Sequence, residues 1–526
     1  MNKPVKRIKK LFNHGKKILI NTDINRRVVR LGIADIFLNH QIKIDAKMFC
    51  NGKEVLSYEE SVSADQNSVS VELPYFGKWK LKVYVYDRNE IVYQYEKTIG
   101  IIAEEYHFVT IMASAPALLF LLKYIKEDGI KNKNGEKMPT YLHLTRPDII
   151  DSTALPNNMY EVPYLKNSSE CEGDWNHFKR EMPYIAAYIK DLHQLYPKSQ
   201  FTFYLNDIFA LTYLRVLAYG NRLPEKSFNV ILISDGNGSV LWHREIYQYL
   251  EDYKQTYTKQ RKEILEKITL AKILPNSAKQ AGRSNDIDCN PFYYDEWERL
   301  WGEEYRSGYM YALLRENTVK QWWLYKYTEK DFLSLRDERL VTNLKQEKKI
   351  VYFDIIDILD GISFKQNDSK VKKLFKYDTC SIYQNDNLGN KKLVILGGFT
   401  NDHELIDFVM KNFGDEYDII YKKHPGGITE ENLKILHEAN ITIDDTGVPF
   451  EIIEYYNPDL YFAGSISTAI CNICRNEKMK DRFKAFVLVN DKNLKTNLLI
   501  NEKRLKTNLN NTIAYLKESA DVAYEE

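Results

Sequence analysis

A chain of 526 residues is too long for one ordinary domain and predicts about three units. Hydrophobic residues make up 44% of it, enough for real cores, and 74 Lys and Arg against 73 Asp and Glu leave a net charge of +1. That balance excludes the global basic field of a dedicated nucleic-acid binder, so any anion site is local. No apolar run reaches the ~18 residues that cross a membrane.

Residues 1–16 carry Lys3, Lys6, Arg7, Lys9, Lys10 and Lys16 without the hydrophobic segment of a secretory signal. Val5, Ile8, Leu11 and Phe12 fall at helical spacing, so the segment reads either as a basic amphipathic helix on an anionic inner leaflet or as a solvated terminus. Over 17–105 the period is two, as in Ile42 to Met48 and Leu81 to Tyr86, with turn signals at Asn51-Gly52 and Asp87 to Asn89. This predicts an immunoglobulin-like β-sandwich acting as an accessory module.

Near Tyr106 strand and helix begin to alternate, which predicts a parallel α/β domain over 106–345. Its strands are Phe108 to Met112, Tyr141 to Arg146, Phe201 to Leu205 and Phe228 to Ile233, with helices at Leu118 to Lys126 and Ile208 to Tyr219. Glu245 to Leu274 and Glu296 to Leu335 read as helical, the second rich in Trp and Tyr. A second α/β domain is expected over 346–490, with strands at Leu393, Ile419, Ile441 and Leu460 and helices at His403, Glu430 and Phe450. Residues 491–526 are expected to return as a helix over Asn511 to Lys517. The six cysteines are scattered like reduced cytoplasmic thiols; Cys471 and Cys474 have no second pair or nearby His to complete a zinc set. The 38 tyrosines suit a surface that handles sugars, although Tyr also fills strands.

Three strand ends carry chemistry. Ser234-Asp235-Gly236 puts an acid before a Gly-rich turn, where it can take a proton from a hydroxyl or merely form an Asx turn. Lys422 to Gly427 offers two lysines, His424 and the Pro425-Gly426-Gly427 amides to a phosphate, or else is a plain polar loop. Ser467 and Thr468 open a helix, as phosphate donors or as an N-cap.

In this order the three motifs resemble the bacterial sialyltransferases of the Pasteurella and Photobacterium type. Ala113 to Leu118, Leu205-Asn206, Leu214 to Tyr219 and Pro449-Phe450-Glu451 are similar to that family as well. The resemblance implies a GT-B fold, two Rossmann-like domains facing a cleft. It implies an inverting, metal-independent transfer of sialic acid from CMP-sialic acid to a galactoside-type acceptor, with no cofactor. Asp235 would be the general base and His424 the acid at the leaving phosphate. Lys423, Pro425, Gly426, Glu451, Ser467 and Thr468 would bind the nucleotide, Glu451 at the ribose, and Gly236 and Asn206 would line the acceptor side. The chain departs from the family in having Ser234 where a first acid stands and Gly398 to Asn401 where a tryptophan follows. Competing readings are a GT-B transferase using CMP-Kdo or a nucleoside-diphosphate sugar, and a non-catalytic glycan-binding or assembly protein.

Overall fold

The computed structural model describes residues 17–163, 174–236, 239, 313, 316–328, 349–383, 391–398, 402–465, 467–473 and 482–486. The basic amino-terminal segment, the helices expected at Glu245 to Leu274 and Asn511 to Lys517, and Cys171, Cys289 and Cys474 lie outside these residues. Among the described residues no helix is long and apolar enough to cross a membrane.

The amino-terminal unit is a pair of antiparallel sheets. One orders β1 (Ile18–Thr22), β2 (Val28–Ile33) and β5 (Ser68–Glu72). The other orders β4 (Lys53–Ser63), β3 (Gln41–Cys50), β6 (Gly77–Asp87) and β7 (Glu90–Ile101). Strict alternation puts Trp79, Leu81, Val83 and Val85 of β6 inside, opposite Met48, Ala46, Ile44 and Ile42. The hairpins close at Asn51-Gly52 and Arg88-Asn89, where all four residues have positive φ as primed turns require. The sandwich sits on helix α2 (Asp174–Leu195), whose Tyr188 hydroxyl donates to the Phe76 carbonyl at 2.7 Å.

The next unit is a seven-stranded parallel sheet in the order β10 (Met159–Glu161), β9 (Thr140–Leu144), β8 (Glu105–Ile111), β11 (Gln200–Asn206), β12 (Phe228–Ile233), β13 (Val319–Tyr325), β14 (Ile350–Phe353). Strand order reverses between β8 and β11, the kind of point at which open α/β sheets bind ligands at the strands' carboxyl ends. Helix α1 (Ser114–Lys126) covers one face and α2 the other. The region expected to be helical from Glu296 to Leu335 instead contains β13. Its Val319 and Trp322 to Tyr325 are buried between layers on both faces, where aromatic side chains fit a strand better than a surface helix. The helix expected over Ile208 to Tyr219 divides into short turns and ends in a π-helical turn, Arg215–Tyr219. Because β14 pairs with β13, the first sheet extends past residue 346, where the sequence reading begins the second α/β domain.

Helix α3 (Ile355–Phe364), capped by Asp354, leads to the second parallel sheet, ordered β17 (Thr442–Asp444), β16 (Tyr417–Lys422), β15 (Lys391–Leu396), β18 (Tyr461–Gly464), β19 (Phe483–Phe486). It reverses between β15 and β18. Its helices are α4 (His403–Phe413), α5 (Glu430–Glu438), α6 (Phe450–Tyr456) and α7 (Thr468–Ile473). One hydrophobic core unites Ile111, Leu119 and Tyr325 of the first sheet's layer with Ile358 of α3 and Phe450, Ile453 and Ile470 of the second. The two α/β units are therefore packed into one body, with carboxyl ends in contact.

Candidate active site

At the carboxyl end of β12 the chain turns through Ser234, Asp235 and Gly236. The Asp235 backbone N–H donates to Ser239 Oγ at 2.6 Å and towards Asp207 Oδ1 at 3.3 Å. Its half-buried carboxylate accepts from Asn206 Nδ2 at 3.4 Å. Burial, reinforced by the charge of Asp207, pushes the Asp235 carboxyl up to about 7, against the pull of Asn206 and Arg146. Asp235 thus has the chemistry of a base poised at neutral pH. Asn206, expected on the acceptor side, is fully buried and lies one layer behind, against Asp235.

Gly236 has φ +72°, and a Cβ there would lie 2.2 Å from Thr468 Oγ1. Only glycine serves both demands. The contact sets the Asp235 turn of the first sheet directly against the first residue of α7 in the second. A further close approach, in which a Cβ on Gly447 would meet the Asp148 carbonyl at 2.4 Å, closes the same face.

At the end of β16 the structure shows what the expected phosphate-binding groups contact. Lys422 is no phosphate ligand: its buried ammonium donates to Asp444 Oδ2 at 2.8 Å and the Thr446 carbonyl at 3.3 Å, and Tyr383 also donates to that carboxylate. The glycine amides point inward as well. Gly427 N–H donates to the His424 carbonyl at 2.9 Å, and Gly426 N–H to His424 Nδ1 at 2.9 Å, so Gly426 helps to fix the imidazole. Burial and then the charge of Arg146 push His424 down to about 4. With Nδ1 accepting, the neutral ring carries its proton on Nε2. Pro425 is exposed at the second position of this turn, and Lys423 is half-buried with its N–H on the Asp444 carbonyl at 2.9 Å.

Ser467 is the N-cap of α7, its Oγ accepting from Ile470 N–H at 3.1 Å. Thr468 hydrogen-bonds Tyr327 as well as touching Gly236. Glu451, in the first turn of α6, is buried; Asn472 Nδ2 donates to its Oε1 at 3.0 Å, and burial raises its pKa.

Side chains that sequence reading passed over join these pieces. Arg146 follows β9, the strand next to β8, and its charge acts on both Asp235 and His424. Tyr325, at the end of β13, is subject to the charges of Glu451, Asp235 and Asp207. Arg146 closes a run already legible as a strand, so a lone cation at a strand end was the available signal. Tyr325 lay hidden in an apparent helix. Among the described residues no cluster of three or more His, Cys, Asp or Glu is placed to hold a metal ion.

Fold and site together define an α/β protein of two parallel-sheet units whose strand ends meet over a raised-pKa aspartate, a fixed neutral histidine and a hydroxyl-bearing helix start. No family model matches the chain, and no curated protein does. Among solved structures it is similar to a 2,6-sialyltransferase of a Photobacterium species, in complex with CMP and lactose, at 17% identity and TM-score 0.49, over 96% of this chain and 95% of that one. It is similar also to a sialyltransferase from Photobacterium damsela, at 16% identity and TM-score 0.44, over 96% and 98% of the two chains.

Proposed function

We infer that the protein is an inverting, metal-independent glycosyltransferase that moves sialic acid from CMP-sialic acid to a galactoside-type acceptor, on a GT-B body. The observation that carries this reading is the approach of the Asp235–Gly236 turn, on one sheet, to Thr468 on the other, with the charge of Arg146 acting on both Asp235 and His424; the sequence resemblance assigns Asp235, His424 and Thr468 to base, acid and phosphate donor. The sandwich favours an immunoglobulin-like arrangement, since first, second and fifth strands form one sheet and fourth, third, sixth and seventh the other.

In this mechanism Asp235 takes the acceptor O–H proton, and the oxygen forms a bond to the anomeric carbon from the face opposite the phosphate. The bond from that carbon to the phosphate oxygen breaks with its electron pair, leaving CMP. Charge grows on the phosphate as the sugar becomes oxocarbenium-like, so donors fixed before the reaction act most strongly in the transition state. His424 Nε2–H and the Thr468 hydroxyl are the donors. Glu451 would accept from the ribose hydroxyls, and an arriving phosphate would raise the depressed pKa of His424. Binding therefore takes up a proton below neutral pH.

Thermal unfolding with CMP, UDP and GDP tests the donor class. CMP alone is expected to raise Tm, by an amount that grows with its concentration. Stabilisation by UDP or GDP instead would transfer the site to a nucleoside-diphosphate sugar, and none by any nucleotide would favour a non-catalytic glycan-binding role.

A further inference from the structure

Directly behind Asp235 lies a second acid, Asp207, that the mechanism above does not use. It follows β11 and is 2% exposed. Its Oδ1 accepts from Ile208 N–H at 2.8 Å, from Ser239 Oγ at 2.8 Å and from the Asp235 N–H at 3.3 Å, while Oδ2 accepts from Trp322 Nε1 at 3.1 Å. The Ser239 hydroxyl that donates to Asp207 also accepts from Asp235 N–H at 2.6 Å. One carboxylate thereby ties together β11, β13, the start of the segment after β12 and the backbone of the candidate base.

We propose that Asp207 is a positioning residue, which locks the Asp235–Gly236 turn against Thr468 and whose charge holds Asp235 as a proton acceptor. The electrostatics agree with the geometry. Groups facing Asp235 are Asp207 and Asn206 from β11 and its end, Arg146 from beyond β9, and Tyr325 from β13. Of these Asp207 is the one that opposes ionisation of Asp235, whereas Arg146 and Asn206 favour it. Asp207 is itself raised to about 6 by burial, against its hydrogen bonds from Ser239 and Trp322. Two adjacent carboxyls of this kind titrate as a pair, and the outer one retains a proton taken from a hydroxyl better than a solvated aspartate would.

Only the kinetic arm of the test rests on the glycosyltransferase reading. Carbon-13 NMR of the full-length protein with labelled Asp carboxyls, assigned through Asp235→Asn, follows the titration of Asp235 without any substrate. In Asp207→Asn its midpoint is expected to fall by about one pH unit or more. An unchanged midpoint in the folded variant overturns the proposal. If Asp207→Asn does not fold, the wild-type titration decides: each carboxyl reporting the other's step supports coupling, and two independent single-step curves overturn it. In the kinetic arm the acid limb of kcat/KM shifts to lower pH by the same amount, with KM for the donor unchanged. Sugar transfer with an unshifted midpoint removes the role of Asp207 alone. A shifted midpoint in a protein that transfers no sugar upholds that role and removes the proposed reaction.

Discussion

Burial pushes the Asp235 carboxyl up to about 7 and the His424 imidazole down to about 4, because in both it disfavours the charged form. The signs give opposite effects of pH. Asp235 binds its proton more tightly folded than unfolded, so its contribution to stability declines as pH rises from about 4 to about 7. Asp235→Asn is therefore expected to raise Tm at pH 8, with the difference vanishing towards pH 4, while transfer falls roughly 10²- to 10⁴-fold. Equal Tm values at pH 8 would contradict the burial argument. For His424 the folded ring binds its proton less tightly, and stability is lost as pH falls from about 6.5 to about 4. His424→Ala should thus show its best relative stability near pH 4 in thermal scans, and should weaken both transfer and CMP binding. The sequence singles out both residues, but the state of the imidazole was not legible: it depends on burial in the folded chain and then on the charge of Arg146, far away in the sequence.

Among elements, the turn after β12 and the start of α7 are fitted to each other. Gly236→Ala puts a Cβ 2.2 Å from Thr468 Oγ1 at a φ of +72°, so it is expected to destabilise by roughly 1–3 kcal/mol and to displace Asp235. Thr468→Ser in that background removes a methyl and should return little, because the hydroxyl is the nearest atom; Thr468→Ala should return more. Chemical denaturation of the single and double variants measures this, and strict additivity would refute the contact. Ser467→Ala should cost about 1 kcal/mol through the lost cap alone. The strands at Leu393, Ile419 and Leu460 and the helices at His403, Glu430 and Phe450 were legible from periodicity and turn residues. So were the primed hairpin turns of the sandwich. Strand β13 was not, because a run buried on both faces has no alternation to read, and tryptophans 322 and 323 give no preference for helix or strand by period. The fate of Lys422 was also illegible, since Asp444 reaches it only through the pairing of β16 with β17.

For the whole molecule that buried ion pair ties β16 to β17. Lys422→Ala leaves the buried Asp444 carboxylate without its counter-ion, hydrogen-bonded still by Tyr383 and Thr446, and is expected to cost roughly 3–5 kcal/mol in denaturant unfolding. A shared core fixes the two parallel sheets with their strand ends together, and this makes one site out of residues more than two hundred positions apart, from Asp235 to Thr468. That site is read as transferring a sugar from a cytidine nucleotide. The most direct measurement is product formation by the full-length protein with CMP-sialic acid and a simple galactoside, beside other nucleotide sugars, for wild type and Asp235→Asn. Transfer from CMP-sialic acid by wild type, lost in the variant while CMP still binds, is the predicted result. Transfer undiminished in Asp235→Asn, or none from CMP-sialic acid with wild type, would contradict it.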